Sequence, residues 1–412
     1  MFLISAPKVT MLRTTRPHRA RKVLLITTAS VVGVVTLALG VVLTVGGIFV
    51  PATYLQPWAA SYSAQFEDAR LKVASQALLA PSGHNMQPWT ITLDAADSDV
   101  LYLFADPTRL SPAVDPLARQ LLVSQGTFLE YLSVSAAHLG YAATFDLFPN
   151  GEYDETDLEA SMSALPVARI TLAADAQAVA PDFDALFLSD TNRAPYTDAP
   201  LTATQTDQLT ALSRDGATLQ VLSAEQDRAA LAAFGVEGTL IETEFAAATA
   251  ESATVFHSTE GAKNDARSGF AVEGQGTSGF MKYLLQGLIT IVPSLNGEEA
   301  GAKSAIAMTQ AGVDHTAAYG LISTAGNTRT EQVQAGMLFA QFSLRARSLG
   351  LVMQPLSQVL QEYPTMAVPY QAIHEQYAPH GETIQMLVRV GTPTVEYPTS
   401  MRRDATDLVH IP

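Results

Sequence analysis

Residues 80–89 read APSGHNMQPW and place a serine, an asparagine and a glutamine between a predicted helix and a predicted strand. The helix is predicted over residues 66–79, where apolar side chains recur at helical spacing and Pro81 disfavours a helical conformation of the residue before it. The strand is predicted from Trp89, where apolar residues alternate with threonines. We expect the turn between them to face a planar, hydrogen-bonding ligand; the alternative is an ordinary loop with two prolines.

The composition is that of a globular protein with a sizeable core. The chain has 412 residues, of which 48% are hydrophobic and 8% aromatic, enough for one large or two ordinary domains. It contains no cysteine, which excludes disulfides, thiolate metal sites and cysteine nucleophiles. Its eight histidines show no HxxxH or HExxH spacing, so we expect no metal site.

Residues 23–50 form an uncharged apolar stretch that ends just before Pro51. Its length is sufficient to cross a bilayer with some tilt, which predicts one transmembrane helix. A cleaved signal peptide is the alternative, because alanines that could serve as a cleavage site follow at 59, 60 and 64.

Charge on either side of this stretch predicts its orientation. The basic N-terminal arm, residues 1–22, contains six Lys and Arg residues and no acid, whereas the first basic residue after the stretch is Arg70. The positive-inside rule then predicts a single-pass protein of the cell membrane with a cytoplasmic N-terminus and an extracytoplasmic main domain. The formal net charge is -16 despite the basic arm, so we expect no nucleic-acid partner.

Two segments match at an offset of 210 residues, which predicts an internal repeat. Residues 124–141 read SQGTFLEYLSVSAAHLGY and residues 334–351 read QAGMLFAQFSLRARSLGL, so that Gly126 aligns with Gly336. Both segments have the pattern of an amphipathic helix closed by glycine, and each is followed by a strand pattern, VARITL at 167–172 and MLVRVG at 386–391. Chance likeness between two Ala/Leu-rich helices is the alternative.

The repeat divides the chain into two unequal copies, at 55–175 and 181–412, and the second contains a predicted insertion at 224–330. The first copy carries APSGHNMQPW, whereas the second has only DGATLQVL, residues 215–222, at the matching place. The second copy instead carries SDTNRAPY at 189–196, MQPLSQ at 353–358 and the pair Arg402 and Arg403. We expect the copies to form an intramolecular pseudo-dimer with one ligand at their interface, so that a monomer suffices.

These segments together resemble the nitroreductase family of flavin oxidoreductases, in particular its large two-repeat branch. The resemblance is carried by APSxxNxQPW and by three weaker matches in the same order, DPLARQLLVSQGTFLEYL from Asp115, TNRAPY from Thr191 and PTSMRRD from Pro398. It covers the chain from about residue 55 to the C-terminus, apart from the insertion. It implies an α+β nitroreductase-like fold around mainly antiparallel strands, with FMN at the interface of the two units.

The resemblance also implies ten cofactor-binding residues. Those of the first copy, expected at the flavin ring and ribityl chain, are Ser82, Asn85 and Gln87. Those of the second copy are Thr191 and Arg193 at the ribityl chain and phosphate, Met353, Pro355 and Leu356 near the reactive edge of the ring, and Arg402 and Arg403 at the phosphate. A solvated tail is the alternative for the last two. Ser189 and Asp190 stand where the family has arginines, and Asp190 would repel a phosphate.

Three further features have two interpretations each. Gly274, Gly276 and Gly279 have GxGxxG spacing, but without a preceding strand a flexible loop is favoured over a dinucleotide site. Residues 280–292 are apolar but too short to span a bilayer, which predicts an amphipathic lid or a core helix. His84 could donate to the flavin or a substrate, or could instead position a neighbouring residue.

The predicted function is that of a membrane-anchored FMN-dependent oxidoreductase, which passes hydride or electrons to a nitro-aromatic or quinone-like acceptor. Because the cofactor would carry the chemistry, no catalytic residue is assigned. The donor would be NAD(P)H or a quinol, and an extracytoplasmic domain favours the quinol unless the orientation is reversed. A flavin-storage protein without turnover and a cofactor-free interaction domain are the alternatives.

Overall fold

In the computed structural model, residues 17–409 are described, and they form twelve α-helices and eight β-strands. The helices are α1 (Pro17–Val45), α2 (Ala69–Ala77), α3 (Arg119–His138), α4 (Leu158–Ala164), α5 (Ala203–Thr210), α6 (Glu225–Glu244), α7 (Ala246–Thr254), α8 (Glu260–Ala266), α9 (Gly279–Ile291), α10 (Glu298–Asp314), α11 (Arg329–Ser348) and α12 (Ala367–Tyr377). The strands are β1 (Trp89–Leu93), β2 (Val100–Ala105), β3 (Tyr141–Leu147), β4 (Ala168–Ala174), β5 (Thr218–Leu222), β6 (Ala318–Thr324), β7 (Val352–Pro355) and β8 (Thr383–Gly391). Most of the predicted basic arm lies outside the described residues.

The strands form two four-stranded antiparallel sheets, so the fold is α+β, as the sequence predicts. The first sheet has the order β1-β2-β4-β3 and the second the order β5-β6-β8-β7. In both sheets, the strand that comes last in the sequence, β4 or β8, lies between the second and the third strand of that sheet. The predicted strands at 167–172 and 386–391 lie largely in β4 and β8, which hold this same position in their sheets.

Helices α3 and α11 cross at the two glycines that the repeat aligns. A Cβ atom at Gly126 would lie 2.0 Å from the carbonyl oxygen of Val333, and one at Gly336 would lie 1.9 Å from that of Val123. The offset of 210 residues relates Val123 to Val333 and Gly126 to Gly336. Each glycine therefore contacts the residue that is equivalent to the one its counterpart contacts. The helices can approach this closely only because neither position carries a side chain.

The helix before the quoted turn is shorter than its apolar pattern. Asp68 stands outside α2 with an extended backbone and accepts a hydrogen bond from the backbone N–H of Arg70, so the helix begins at Ala69 rather than at residue 66. Asp68 is therefore the N-cap of α2.

Helix α1 also has other bounds than the predicted 23–50. Within the described residues it spans Pro17–Val45, and it ends there because Gly46 and Gly47 follow, of which Gly47 has a φ of +88°. Within it, Leu25–Val45 has a mean hydropathy of 2.3 and none of its residues is buried. By length and composition, this is the one helix in the described part of the chain that could cross a membrane.

The segment between β5 and β6 contains helices α6 to α10, whereas β1 and β2 are joined by a short turn. The expected insertion, 224–330, includes β6 (Ala318–Thr324), which is fully buried as the second strand of its sheet. The added helices therefore end at Asp314. The periodicity of β6 did not reveal it, because a strand buried on both faces lacks polar alternation.

Candidate cofactor site

The turn at 80–89 is held in an uncommon backbone conformation. His84, Asn85 and Gln87 have φ angles of 49°, 52° and 50°, in the left-handed region that non-glycine residues seldom adopt. Hydrogen bonds fix it from within and from α3, because Ser82 Oγ accepts from the backbone N–H of Gln87 (2.9 Å) and Ser124 Oγ accepts from that of Gly83 (3.1 Å). The conformation decides which of the turn's side chains face outward.

Asn85 and Gln87 point towards the C-terminal segment. Asn85 Nδ2 donates to the carbonyl oxygen of Met401 (3.1 Å), and Gln87 Nε2 donates to that of Arg267 (2.8 Å). Gln87 Oε1 accepts from the backbone N–H of Arg403 (2.8 Å). Both amides therefore tie the turn to distant segments of the chain.

Arg402 and Arg403 complete this network. Arg402 is 0% exposed and donates to Asn85 Oδ1 (2.9 Å) and Asp190 Oδ2 (2.7 Å), while Arg403 donates to the carbonyl oxygens of Gln87 (3.0 Å) and Trp89 (2.8 Å). Burial, aided by the charge of Arg109, lowers the pKa of Arg403 to about 10. The alternative of a solvated tail is therefore wrong. Asp190, expected to repel a phosphate, is instead paired with Arg402.

A cavity of about 490 Å³ lies on the other side of the turn. Its wall combines residues 81–84 and α3 with Thr191, Arg193, β7 and the helices α6, α7 and α10. Four of the ten predicted cofactor residues line it, namely Ser82, Thr191, Arg193 and Pro355. The other six, Asn85, Gln87, Met353, Leu356, Arg402 and Arg403, are not part of the wall.

Met353 and Leu356 belong to the core, with exposed fractions of 1% and 0%. The backbone N–H of Leu356 donates to the carbonyl oxygen of Leu387 (2.8 Å), so it is used within the protein. Between them, Gln354 and Pro355 face the cavity.

Arg193 is the basic residue that the described cavity wall offers. Its guanidinium donates to the carbonyl oxygen of Gly274 (2.9 Å), a residue of the GxGxxG segment, and forms no ion pair with a described carboxylate. Burial lowers the pKa of Arg193, partly offset by Asp190. The side chain still remains charged at neutral pH, since an arginine pKa starts above 12.

His84 presents a neutral imidazole to the cavity. Burial, together with the charge of Arg193, lowers the pKa of His84 to about 4. Its ring lies 4.9 Å from that of Phe270, and its Nδ1 is buried without a hydrogen-bond partner in the described residues. An unpaired ring nitrogen in a cavity wall can bind a ligand polar group.

A carboxyl and two amides on the wall escaped the sequence analysis. Glu242 of α6 accepts a hydrogen bond from Gln361 Nε2 (2.8 Å), and Oε1 of Gln358 and of Gln361 has no partner in the described residues. Burial raises the pKa of Glu242, while its hydrogen bonds from the two glutamines oppose the shift. Gln358 is the last residue of the MQPLSQ segment, and Gln361 follows it, but nothing local indicated that α6 packs against them.

Known proteins resemble parts of this chain, although no protein-family model matches it. A probable NAD(P)H nitroreductase of Serratia sp., PigM, is 41% identical over 76 residues, which make up 18% of this chain and 21% of that protein. A putative NAD(P)H nitroreductase of Mycobacterium tuberculosis, acg, is 33% identical over 121 residues, 29% of this chain and 34% of the relative. The matches therefore span about a fifth to a third of these relatives.

Among solved structures, a nitroreductase of Desulfitobacterium hafniense with bound FMN aligns with 57% of this chain and 98% of its own. The sequence identity is 11% and the TM-score is 0.32.

Proposed function

We propose that the chain is a membrane-anchored, FMN-dependent oxidoreductase of the nitroreductase type, whose acceptor is a nitro-aromatic or quinone-like compound. The observation that carries the proposal is the cavity of about 490 Å³ beside the crossing of α3 and α11, walled by both copies of the repeat. Its volume lies in the range of cofactor and small-molecule sites. The names of the relatives matched over a part of their length support the same activity.

Two tandem copies forming an intramolecular pseudo-dimer are part of this proposal. The two sheets have the same strand order, which supports this arrangement. The contact of α3 with α11 also supports it, because the 210-residue offset exchanges the two residue pairs that form it. Such a self-matching contact is what a two-fold axis between equivalent helices produces. The quoted turn and α3 then come from one copy, and Thr191, Arg193 and β7 from the other.

The residues of the cavity wall suit a flavin. The unpaired Oε1 atoms of Gln358 and Gln361 and the unpaired His84 Nδ1 offer polar partners for the edge of its ring. Arg193 would hold the phosphate, with Ser82 and Thr191 beside the ribityl chain. FMN, when bound, supplies two-electron redox chemistry that no side chain of this protein can supply.

Glu242 and His84 have separate roles in this scheme. The raised pKa of Glu242 favours a protonated carboxyl, which can donate a proton to the acceptor as it is reduced. The lowered pKa of His84 keeps its imidazole uncharged beside Arg193, so that it orients a ligand through a hydrogen bond. Residues of helices α6, α7 and α10 form part of the cavity wall.

The anchor would be α1, with its N-terminus in the cytoplasm and the main domain outside. The apolar stretch Leu25–Val45 and the basic residues before it support this orientation. The electron donor is then NAD(P)H or a membrane-borne quinol, and the working unit is one chain.

A cofactor-free interaction domain is the second candidate, and one observation favours it. Arg402 is neutralised by Asp190 and Arg403 is held by backbone carbonyls, so Arg193 alone would meet a phosphate. A phosphate bound by a single guanidinium is held less firmly than one bound by several.

An absorbance spectrum of the full-length protein in detergent, with and without added FMN, separates these candidates. A bound-flavin spectrum that bleaches anaerobically with NADPH or a quinol supports the oxidoreductase. Bound flavin that no donor reduces indicates storage, whereas the absence of binding leaves the interaction domain.

A further inference from the structure

Helix α9 turns its polar residues towards the protein and its apolar residues outward. Lys282 and Gln286 are 9% and 0% exposed, whereas Met281 is 56% exposed. The outward apolar side chains of α9 and the segment after it are Phe280, Met281, Leu288, Ile291, Val292 and Leu295. This is neither a core helix nor a lid with its apolar face on the cavity, the two interpretations that the sequence left open. It is the arrangement of a helix whose outer surroundings are apolar.

Buried ion pairs fix this orientation. Lys282 Nζ lies 2.9 Å from Glu260 Oε1, and Gln286 Nε2 donates to the carbonyl oxygen of Gly46 (2.6 Å) just beyond α1. Turning α9 to bury its apolar face would leave Glu260, which is 0% exposed, without one of its cationic partners. Because breaking a buried ion pair is strongly destabilising, the apolar face is held outward.

The apolar face continues the surface of α1. A Cβ atom at Gly46 would lie 2.0 Å from the carbonyl oxygen of Tyr283, and one at Gly287 would lie 1.9 Å from that of Val42. Since Gly287 follows Tyr283 while Val42 precedes Gly46, the two helices run antiparallel. Residues after Gly287 therefore lie beside the Leu25–Val45 stretch. The 13 residues of α9 span about 20 Å, too little to cross the hydrocarbon layer.

The cavity wall follows directly on this apolar segment. Asn296, Gly297 and Glu298 come immediately after Leu295, and all three line the cavity. Glu298 and Glu299 are exposed and begin α10, which marks the return to a polar surface. The rim of the cavity thus lies where the apolar surface ends.

We propose that residues 279–296, the lipid-facing segment, insert into the outer layer of the bilayer beside α1, and that the cavity receives its electron donor, a membrane-dissolved quinol, from there. The choice of donor rests on the proposed oxidoreductase activity, and the insertion rests on the proposed anchoring by α1. Oxidation of the quinol to the quinone releases two electrons and two protons. Reduction of a nitro group to a nitroso group and water consumes the same number of each, so the overall reaction balances.

Single-cysteine labelling tests the insertion directly, because the natural chain contains no cysteine. The variants Ile291→Cys and Leu295→Cys of the full-length protein carry a nitroxide label in phosphatidylcholine vesicles, with Val368→Cys, on the exposed surface of α12, as the control. We expect the first two labels to collide mainly with lipid-soluble oxygen and the control mainly with an aqueous nickel complex. Aqueous collisions at all three positions overturn the insertion.

The donor is tested with two quinols that have the same ring and different side chains. One has a long chain and is dissolved in the vesicles, and the other is water-soluble. In Ile291→Asp, oxidation of the long-chain quinol coupled to a nitro-aromatic acceptor should fall about tenfold, while that of the soluble quinol stays unchanged. Val368→Asp should change neither rate.

Each of the remaining outcomes contradicts one part of the proposal. Equal losses with both quinols overturn delivery from the bilayer. FMN-loaded protein that NADPH reduces and neither quinol reduces overturns the quinol donor and leaves the oxidoreductase standing. Protein that binds no FMN contradicts the proposed function, and the labels still decide the insertion.

Discussion

Arg402 joins three parts of the chain at a single buried side chain. It donates to the carbonyl oxygen of Leu79 (2.9 Å), at the end of the first helix of the main domain, to Asn85 in the turn and to Asp190 in the second copy. Its guanidinium also lies 4.6 Å from the ring of Trp58. At the residue scale, the basic pair that resembles a phosphate site therefore acts as a structural link between distant segments.

Replacing this arginine should destabilise the fold strongly. In Arg402→Ala, Asp190 keeps a mostly buried charge without its partner, so the free energy of unfolding should fall by about 3–5 kcal/mol. The measurement is a denaturant titration in detergent. Lys303→Ala, which breaks the exposed Lys303–Glu299 pair, is the control and should cost no more than about 0.5 kcal/mol. Equal losses in the two variants would contradict a structural role for Arg402.

His84 should make stability depend on pH. In the unfolded chain an imidazole binds a proton below about pH 6.5, whereas the folded protein protonates His84 only near pH 4, because burial and Arg193 oppose the charge. Acid therefore favours the unfolded state, and stability is lost as the pH falls from 6.5 to 4. His84→Asn, which suits the left-handed backbone, should lose less of its melting temperature over this range. A parallel decline in both proteins would disprove the assignment.

Glu242 should govern the alkaline side of the activity profile. If its carboxyl donates a proton, turnover of the FMN-loaded protein should fall as the pH rises through the raised pKa. Glu242→Gln keeps the size of the side chain but should lower turnover about 100-fold or more and flatten this limb. Glu237→Gln, on the exposed side of the same helix, is the matched control. Wild-type turnover in Glu242→Gln would exclude the role.

At the scale of elements, the crossing of α3 and α11 is the central contact of the fold. Core side chains of both sheets pack against these two helices, and the cavity lies beside their crossing. The position of each wall residue therefore depends on how closely the two helices approach.

A methyl group at this crossing should force the helices apart. In Gly336→Ala the new Cβ would lie 1.9 Å from the backbone oxygen of Val123, which cannot move without its helix. We expect a loss of about 1–3 kcal/mol in the free energy of unfolding. Gly301→Ala in α10, where a Cβ meets nothing within 4 Å, should instead gain about 0.5–1 kcal/mol. Similar changes in both variants would show that the helices are not in close contact.

At the scale of the whole molecule, the cavity of about 490 Å³ lies between segments of the two proposed copies, which differ in length. Where the first copy has the turn at 80–89, the second has a tight turn around Gly216. The side chain of Gln334 packs against this turn. Gln334 is the residue that the repeat aligns with Ser124, a residue of the cavity wall. The side chain of Gln334 therefore occupies the space beside this turn.

One flavin per chain and a monomer are therefore expected. Light scattering of the FMN-loaded protein in detergent, combined with the flavin absorbance, gives both values in one experiment. Two flavins per chain would contradict the unequal copies. Flavin bound only by a dimer would contradict a site completed within one chain.

The sequence by itself determined the features that rest on local pattern or composition. Hydropathy located the apolar helix Leu25–Val45, alternation located β1, and the matched segments around Gly126 and Gly336 indicated two helices, although not that these helices cross. These succeeded because periodicity and glycine placement act over a few residues. Helix ends were less accurate, since Asp68 and Gly47 act through backbone hydrogen bonds and dihedral angles that the apolar pattern does not show.

Only the tertiary structure decided which predicted site residues face the cavity. Three left-handed residues rotate Asn85 and Gln87 away from it, and the pairing of Arg402 with Asp190 joins positions 212 residues apart. The packing of α6 brings Glu242 to the wall, and Lys282 holds the apolar face of α9 outward. These outcomes depend on contacts between distant segments, where burial makes the pairing of each polar group decisive.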